Sequence, residues 1–278
     1  MILYLKQTLM VYRKFMPSLA LRPYIECFYL WQQPTPTAPL LVRSPPTGYA
    51  ALVFNLGETY ETGLETVHWD RTPRVFLTGQ ATQGYHLRVT NSLDIVGVVF
   101  RPTGLYHLLR QPMRGLTDRR VDASLVMGPR IMELWKQLGE CPDVAHRMAL
   151  LDQVLQQQLL TLPLAWDAVD GIVDEIISCH GLASMQHLLA DCALSPRQFQ
   201  RKFQAKVGVS AKFYCKLRRF GHICQYLIRQ EVIDWQEVVW MGGYYDQSHF
   251  IKDFLAFMKE NPTAYYHSPQ EVANLLET

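Results

Sequence analysis

Twice between residues 184 and 254 the chain spells a short helix, a tight turn and a second helix that starts behind a capping residue. In the first copy Ser195 and Pro196 mark that second start. Serine satisfies free amides of the first turn, and proline fits the first helical position because its missing N–H has no partner to lose there. Phe199, Phe203 and Val207 then recur every four residues, which stacks them on one side to be buried. Arg197, Gln200, Arg201 and Gln204 fall on the other side. In the second copy Gly242-Gly243 gives the turn and Asp246 the cap, and Gln247, Ser248, Ile251 and Lys252 take the outward positions.

Those outward side chains discriminate bases. Arginine pairs bidentately with guanine and glutamine with adenine in the major groove, so both helices read as probes of double-stranded DNA. Ile251 is out of place on a solvated face. Contact with a thymine methyl would explain it, and so would packing on a neighbouring loop.

Charge supports the same partner through its distribution, since the net charge is only +2. From Cys192 to Gln230 there is no Asp or Glu, whereas Arg197, Arg201, Lys202, Lys206, Lys212, Lys216, Arg218, Arg219 and Arg229 all lie there. Lys202, Lys206, Lys212 and Lys216 are expected on DNA phosphates, which position a protein without specifying sequence. The second unit is poorer in positive charge, with Asp246, Asp253 and Glu260 set against Lys252 and Lys259.

Between the units, Leu217, Phe220, Ile223, Cys224, Leu227 and Ile228 make one apolar face, and Arg218, His222, Gln225 and Arg229 the opposite one. A single helix of about nineteen residues spans about 28 Å. Successive major-groove faces lie about 34 Å apart, so one chain reaches two of them. Gly221 inside this helix predicts a close helix crossing.

The rest of the chain has another texture. At 278 residues, 49% of them hydrophobic, there is enough for two cores. Residues 43–101 are rich in β-branched and aromatic residues broken by Gly, Pro and Asn, and read as strands near 50–57, 74–78, 85–89 and 94–100. A helical period follows from Thr103. Leu151, Leu155 and Leu159 either form a seam between two chains or fold back onto the strands. The expected architecture is α+β in two domains: a β-barrel or sandwich with helices at 1–160, a linker at 161–166, and an all-α tandem helix-turn-helix domain at 167–278.

Residues 167–266 resemble the DNA-binding region of the AraC/XylS family of bacterial transcription regulators. The likeness is carried by Leu188, by Leu194-Ser195-Pro196-Arg197-Gln198-Phe199-Gln200-Arg201-Lys202-Phe203, by Val207-Gly208-Val209-Ser210, Tyr214, Arg219 and Leu227, and by Gly243-Tyr244-Tyr245-Asp246-Gln247-Ser248-His249-Phe250 with Phe254, Asn261-Pro262 and Tyr265. Lys259 stands where the family usually has glycine, Tyr244 where phenylalanine is common, and Leu189 where alanine is common. The resemblance implies a cytoplasmic regulator that binds promoter or operator DNA, with RNA polymerase and a second copy of the chain as further partners. The N-terminal region is similar to the family's cupin-like sensor domains through Leu21-Arg22-Pro23-Tyr24-Ile25, Pro45-Pro46-Thr47-Gly48 and Val96-Gly97-Val98-Val99-Phe100-Arg101-Pro102. That likeness implies a small organic effector, for which His86 and Arg88, alternating onto one strand face, are the candidates.

Other functions find little support. There is no nucleophile elbow, phosphate loop, dinucleotide fingerprint or His-Glu-x-x-His, so no enzyme, and no cofactor, is expected. The His-x-His pair of a cupin metal centre is missing, which argues against a metal. The remaining rivals are a cupin-type enzyme with a DNA-binding tail, a protein-interaction role, and an alkylation sensor built on Cys27, whose apolar and acidic surroundings would raise its thiol pKa. The six cysteines have no Cys-x-x-Cys spacing and read as reduced core thiols. Residues 1–16 lack a signal-peptide pattern and no apolar run is long enough for a bilayer.

Overall fold

Because neighbouring side chains of a strand point to opposite faces, the strands here sort their residues into two cores. The computed structural model describes residues 3–5, 8–162, 166–190, 192–230 and 232–267. Within them run β1 (Leu3–Leu5), β2 (Thr8–Phe15), β3 (Ile25–Gln33), β4 (Leu40–Ser44), β5 (Ala50–Asn55), β6 (Glu61–Gly63), β7 (Asp70–Arg71), β8 (Val75–Thr78), β9 (Tyr85–Val89), β10 (Leu93–Phe100) and β11 (Arg120–Asp122). All pairings are antiparallel, in a large sheet ordered β1-β2-β3-β10-β5-β8-β11 and a small one ordered β4-β9-β6-β7. Tyr12, Tyr29, Trp31, Val53, Phe76 and Ile95 of the large sheet meet Val42, Leu87 and Val89 of the small one in an aromatic lumen. Gly97 is needed there, because a Cβ would enter the Tyr29 ring on the paired strand.

The other face of the large sheet, with Phe28, Leu30, Leu52, Phe54, Leu77, Val96 and Val98, is covered by helices. These are α1 (Gly104–Leu109), a 3-10 turn (Met113–Leu116), α2 (Ala123–Met127), α3 (Arg130–Glu140) and α4 (Val144–Leu160). Leu151, Leu155 and Leu159 of α4 are buried in this core, so they fold back and are spent within the chain. Strands β2 and β3 lie before the expected strand region. Nearly every residue of β3 is buried, so it shows no polar alternation to read.

The C-terminal domain consists of α5 (Ala168–Ser178), α6 (Met185–Leu188), α7 (Pro196–Val207), α8 (Ala211–Arg229), α9 (Trp235–Met241), α10 (Gln247–Met258) and α11 (Pro262–His267). The caps fall where the sequence put them. Ser195 and Gln198 form a reciprocal capping box at α7, and the Asp246 carboxylate accepts from the His249 amide at α10. Phe199, Phe203, Val207, Phe250 and Phe254 are fully buried. Helix α8 has the expected nineteen residues. Its Gly221 does not mark a helix crossing: a Cβ there would have no neighbour within 4 Å, because the residue borders a cavity. Of the expected linker, residues 163–165 lie outside the described residues, as does the side chain of Ile228.

Candidate nucleic-acid interface

Helices α7 and α10 expose most of the face expected from the sequence. On α7, Arg197, Gln200 and Arg201 are exposed and Gln204 half-buried; on α10, Gln247, Ser248 and Lys252 are exposed. Ile251 is half-buried and packs against the C-terminal core, beside a groove it shares with Trp235 and Pro262. It therefore has an apolar neighbourhood of its own.

The long basic run is sorted by carboxylates distant in sequence. Lys206 is withdrawn from solvent, its Nζ 2.9 Å from Asp167 and 2.6 Å from Asp170, and its ammonium 5.8 Å from the centre of the Tyr106 ring. An ammonium held by two carboxylates and 4% exposed is not placed to meet a phosphate, so Lys206 departs from that expectation. Lys202 reaches Asp167 at 3.3 Å and Lys216 reaches Asp253 at 3.1 Å, though both stay partly exposed. Arg219 also turns to Asp253. Among the described residues no carboxylate pairs with Arg197, Arg201, Lys212 or Arg229. In the second unit Asp253 and Glu260 are used inward, Glu260 against Arg43, which leaves Lys252 and Lys259 exposed. The second unit is thus less acidic toward solvent than its composition implied.

Sequence reasoning missed the acids that do this sorting. Asp167 and Asp170 lie three apart at the start of α5, where each also bonds backbone as a cap. That spacing is the usual signature of a helix start and conceals a second use. His107, buried like Asp170, donates from Nε2 to Asp170 Oδ1 at 2.8 Å, and Trp166 stacks on its ring. Burial alone would raise the Asp170 pKa. Hydrogen bonds from His107 and Lys206 outweigh it and hold the carboxyl well below the usual carboxylate range.

This cluster joins the back of α7 to α1. Farther along, Arg101 pairs with Asp174 at 2.6 Å, the Tyr214 hydroxyl donates to the Gly48 carbonyl, and Arg218 donates to the Thr47 carbonyl with its guanidinium 4.7 Å from the Tyr49 ring centre. The second unit is held as well, through Arg43 and Glu260 and through the Gly84 amide donating to the Phe257 carbonyl. Both helix-turn-helix units are therefore fastened to the strand-rich domain.

Lys259 closes α10 with φ +59°, a left-handed conformation that costs a residue bearing a Cβ about 1 kcal/mol. The family's glycine is thereby explained. Lys259→Gly is expected to raise stability by up to about 1 kcal/mol, read as a shift of the urea midpoint at constant slope.

His86 and Arg88 share a face of β9, as expected, but Leu87 and Val89 hold the lumen side. Arg88 instead pairs with Glu61 at 2.6 Å under the Trp69 ring, and neither residue lines the lumen cavity. That cavity, about 140 Å³, is bordered by Tyr12, Tyr29, Tyr49, Tyr85 and Arg120. A second, of about 250 Å³, lies between the domains, walled by Lys14, Glu26, Cys27, Tyr49, Arg218 and His222. Burial pushes the Cys27 thiol up to about 11, as its surroundings predicted. Among the described residues no group of three or more His, Cys, Asp or Glu side chains is arranged to hold a metal, and no helix is long and apolar enough to cross a membrane.

With its capped helices joined by one long helix, the C-terminal region beside the two-sheet domain is an AraC-type helix-turn-helix domain, which supports DNA binding. Residues 188–268 match the helix-turn-helix domain family, and residues 13–122 match a domain of unknown function, DUF6597. Among solved structures the chain is similar to ToxT from Vibrio cholerae. One form aligns at 8% identity and a TM-score of 0.46, covering 86% of this chain and 97% of that one. ToxT bound to (E)-4-(8-methylnaphthalen-1-yl)but-3-enoic acid aligns at 8% and 0.45, covering 85% and 96%. Unsaturated fatty acid-bound ToxT aligns at 10% and 0.42, covering 84% and 96%. No curated protein sequence matches the chain.

Proposed function

We propose that this protein is a bacterial transcription regulator that reads promoter DNA with α7 and α10 in successive major grooves, under control of a small effector. The observation that carries the reading is the row Arg197, Gln200 and Arg201, exposed, with the half-buried Gln204 continuing it, along a helix whose opposite face is fully buried. Lys212 and the partly exposed Lys202 and Lys216 serve as phosphate contacts beside it. The effector's seat is the cavity between the domains, because a ligand there touches both and so distinguishes their docked from their separated arrangement. Lys14 and Arg218 give it cationic walls against the single carboxylate of Glu26, which favours a small organic acid. His222, stacked on His180 at 3.8 Å, is kept below the usual imidazole range by burial and then by His180.

Selection of the full-length protein on a pool of random duplexes tests the reading. The expected result is one site with two half-sites about one helical turn apart. Recovery of no shared motif would defeat it. A panel of short organic acids is expected to include one that raises the melting temperature of the full chain by mass action on the folded form and shifts its DNA affinity.

A further inference from the structure

We infer that the strand-rich domain itself contributes to the DNA interface, through Arg114 and Arg119 on the segment that carries the 3-10 turn. This rests on the DNA-reading role of α7. The turn packs directly on the end of that helix: the Thr117 hydroxyl donates to the Gly208 carbonyl at 3.2 Å, and the Met113 carbonyl lies close against Gly208. Gly208 caps α7 at φ +97°, and a Cβ there would crowd the Thr117 hydroxyl, so the two segments are in close contact. Arg114 follows Met113 by one residue and Arg119 follows Thr117 by two, and both are exposed.

Among the described residues neither guanidinium is held in an ion pair, although the exposed Asp118 carboxylate between them keeps its charge. Asp118, between them, is taken by the amide and hydroxyl of Thr82 at 2.6 and 2.7 Å. Asp122 caps α2 through Ser124. Neighbouring Arg120 lies over the Tyr85 ring at 4.1 Å and borders the lumen cavity. Among the described residues neither Arg114 nor Arg119 pairs with a carboxylate; the Arg119 guanidinium reaches only the Gly115 carbonyl, at 3.4 Å. Lys212, also exposed and unpaired among the described residues, lies in the first turn of α8, four residues after Gly208. Exposed cations of both domains are thus carried by segments that meet at the Gly208 end of α7, and phosphates beside a groove-bound helix are what such cations contact.

The experiment measures binding of the full-length protein to a random-sequence duplex and to the selected site across a salt series. Arg114→Ala with Arg119→Ala is expected to flatten the slope of log affinity against log salt by about two units and to leave the ratio between the two duplexes unchanged. Arg114→Lys with Arg119→Lys is expected to keep the wild-type slope. An alanine variant with unchanged melting temperature and unchanged slope would overturn the inference, and with Arg201→Ala still relaxing base preference the reading role of α7 would survive it. A wild-type chain with no salt-dependent affinity for duplex DNA would remove both.

Discussion

Asp170→Asn is expected to destabilise the protein by about 3–5 kcal/mol, the cost of removing one member of a buried ion pair and leaving the other charged. The substitution hardly changes shape. It takes the negative charge from between His107 and Lys206, both almost without solvent contact, and Lys206 then keeps only Asp167. Denaturant titration reads the loss directly. The double variant Asp170→Leu with Lys206→Met is expected to lose much less, because no unpaired charge remains.

The same carboxyl sets a pH dependence whose sign is fixed. Its folded pKa lies below the unfolded value of about 4, so its contribution is complete above that value and is lost as pH falls through the folded one. Asp167, also lowered despite its burial through its bonds with Lys206, acts in the same direction. Stability of the wild type should therefore fall as pH drops below about 4, and the Asp170→Asn variant should show a shallower acid limb.

Arg201→Ala is expected to weaken binding to the selected duplex by about 1–3 kcal/mol and to relax preference at one base position. Arg201 is exposed on the face of α7 opposite its buried phenylalanines and has no carboxylate partner among the described residues. Affinity measured on the selected site and on single-base variants of it decides. An equal loss on random duplex would assign the guanidinium to a phosphate.

Much of the shape of α7 and α10 was legible because it depends on local rules. Ser195-Pro196, Asp246 and Gly242-Gly243 fix helix starts and a turn through their own backbone preferences, and the four-residue spacing of Phe199, Phe203 and Val207 fixes which side of α7 is buried. What was hidden depends on residues far apart in the chain. No rule applied to 192–230 alone reveals that Asp167, Asp170 and Asp253 neutralise Lys206, Lys216 and Arg219, so a run that looked uniformly free is divided into bound and available cations. Strand β9 shows the same limit. Alternation groups His86 with Arg88 correctly, but only the second sheet decides that Leu87 and Val89 face the lumen. Gly221 misled because a missing side chain makes room equally well for a helix or for a cavity.

The double fastening of the reading units bears on how a recognition site for this protein can change over time. With α7 held at α1 and the end of α10 held at Gly84 and Arg43, the distance and the rotation between the two helices are set, in the docked arrangement, by one body and not by a tether. On the proposed reading, a promoter can drift by base substitution, losing about 1–3 kcal/mol at each mismatched pair. Insertion of a single base pair is a different event, since it turns one half-site by about a tenth of a helical turn relative to the other. The spacing within the operator is then the feature under the strictest selection, stricter than any single letter of its sequence.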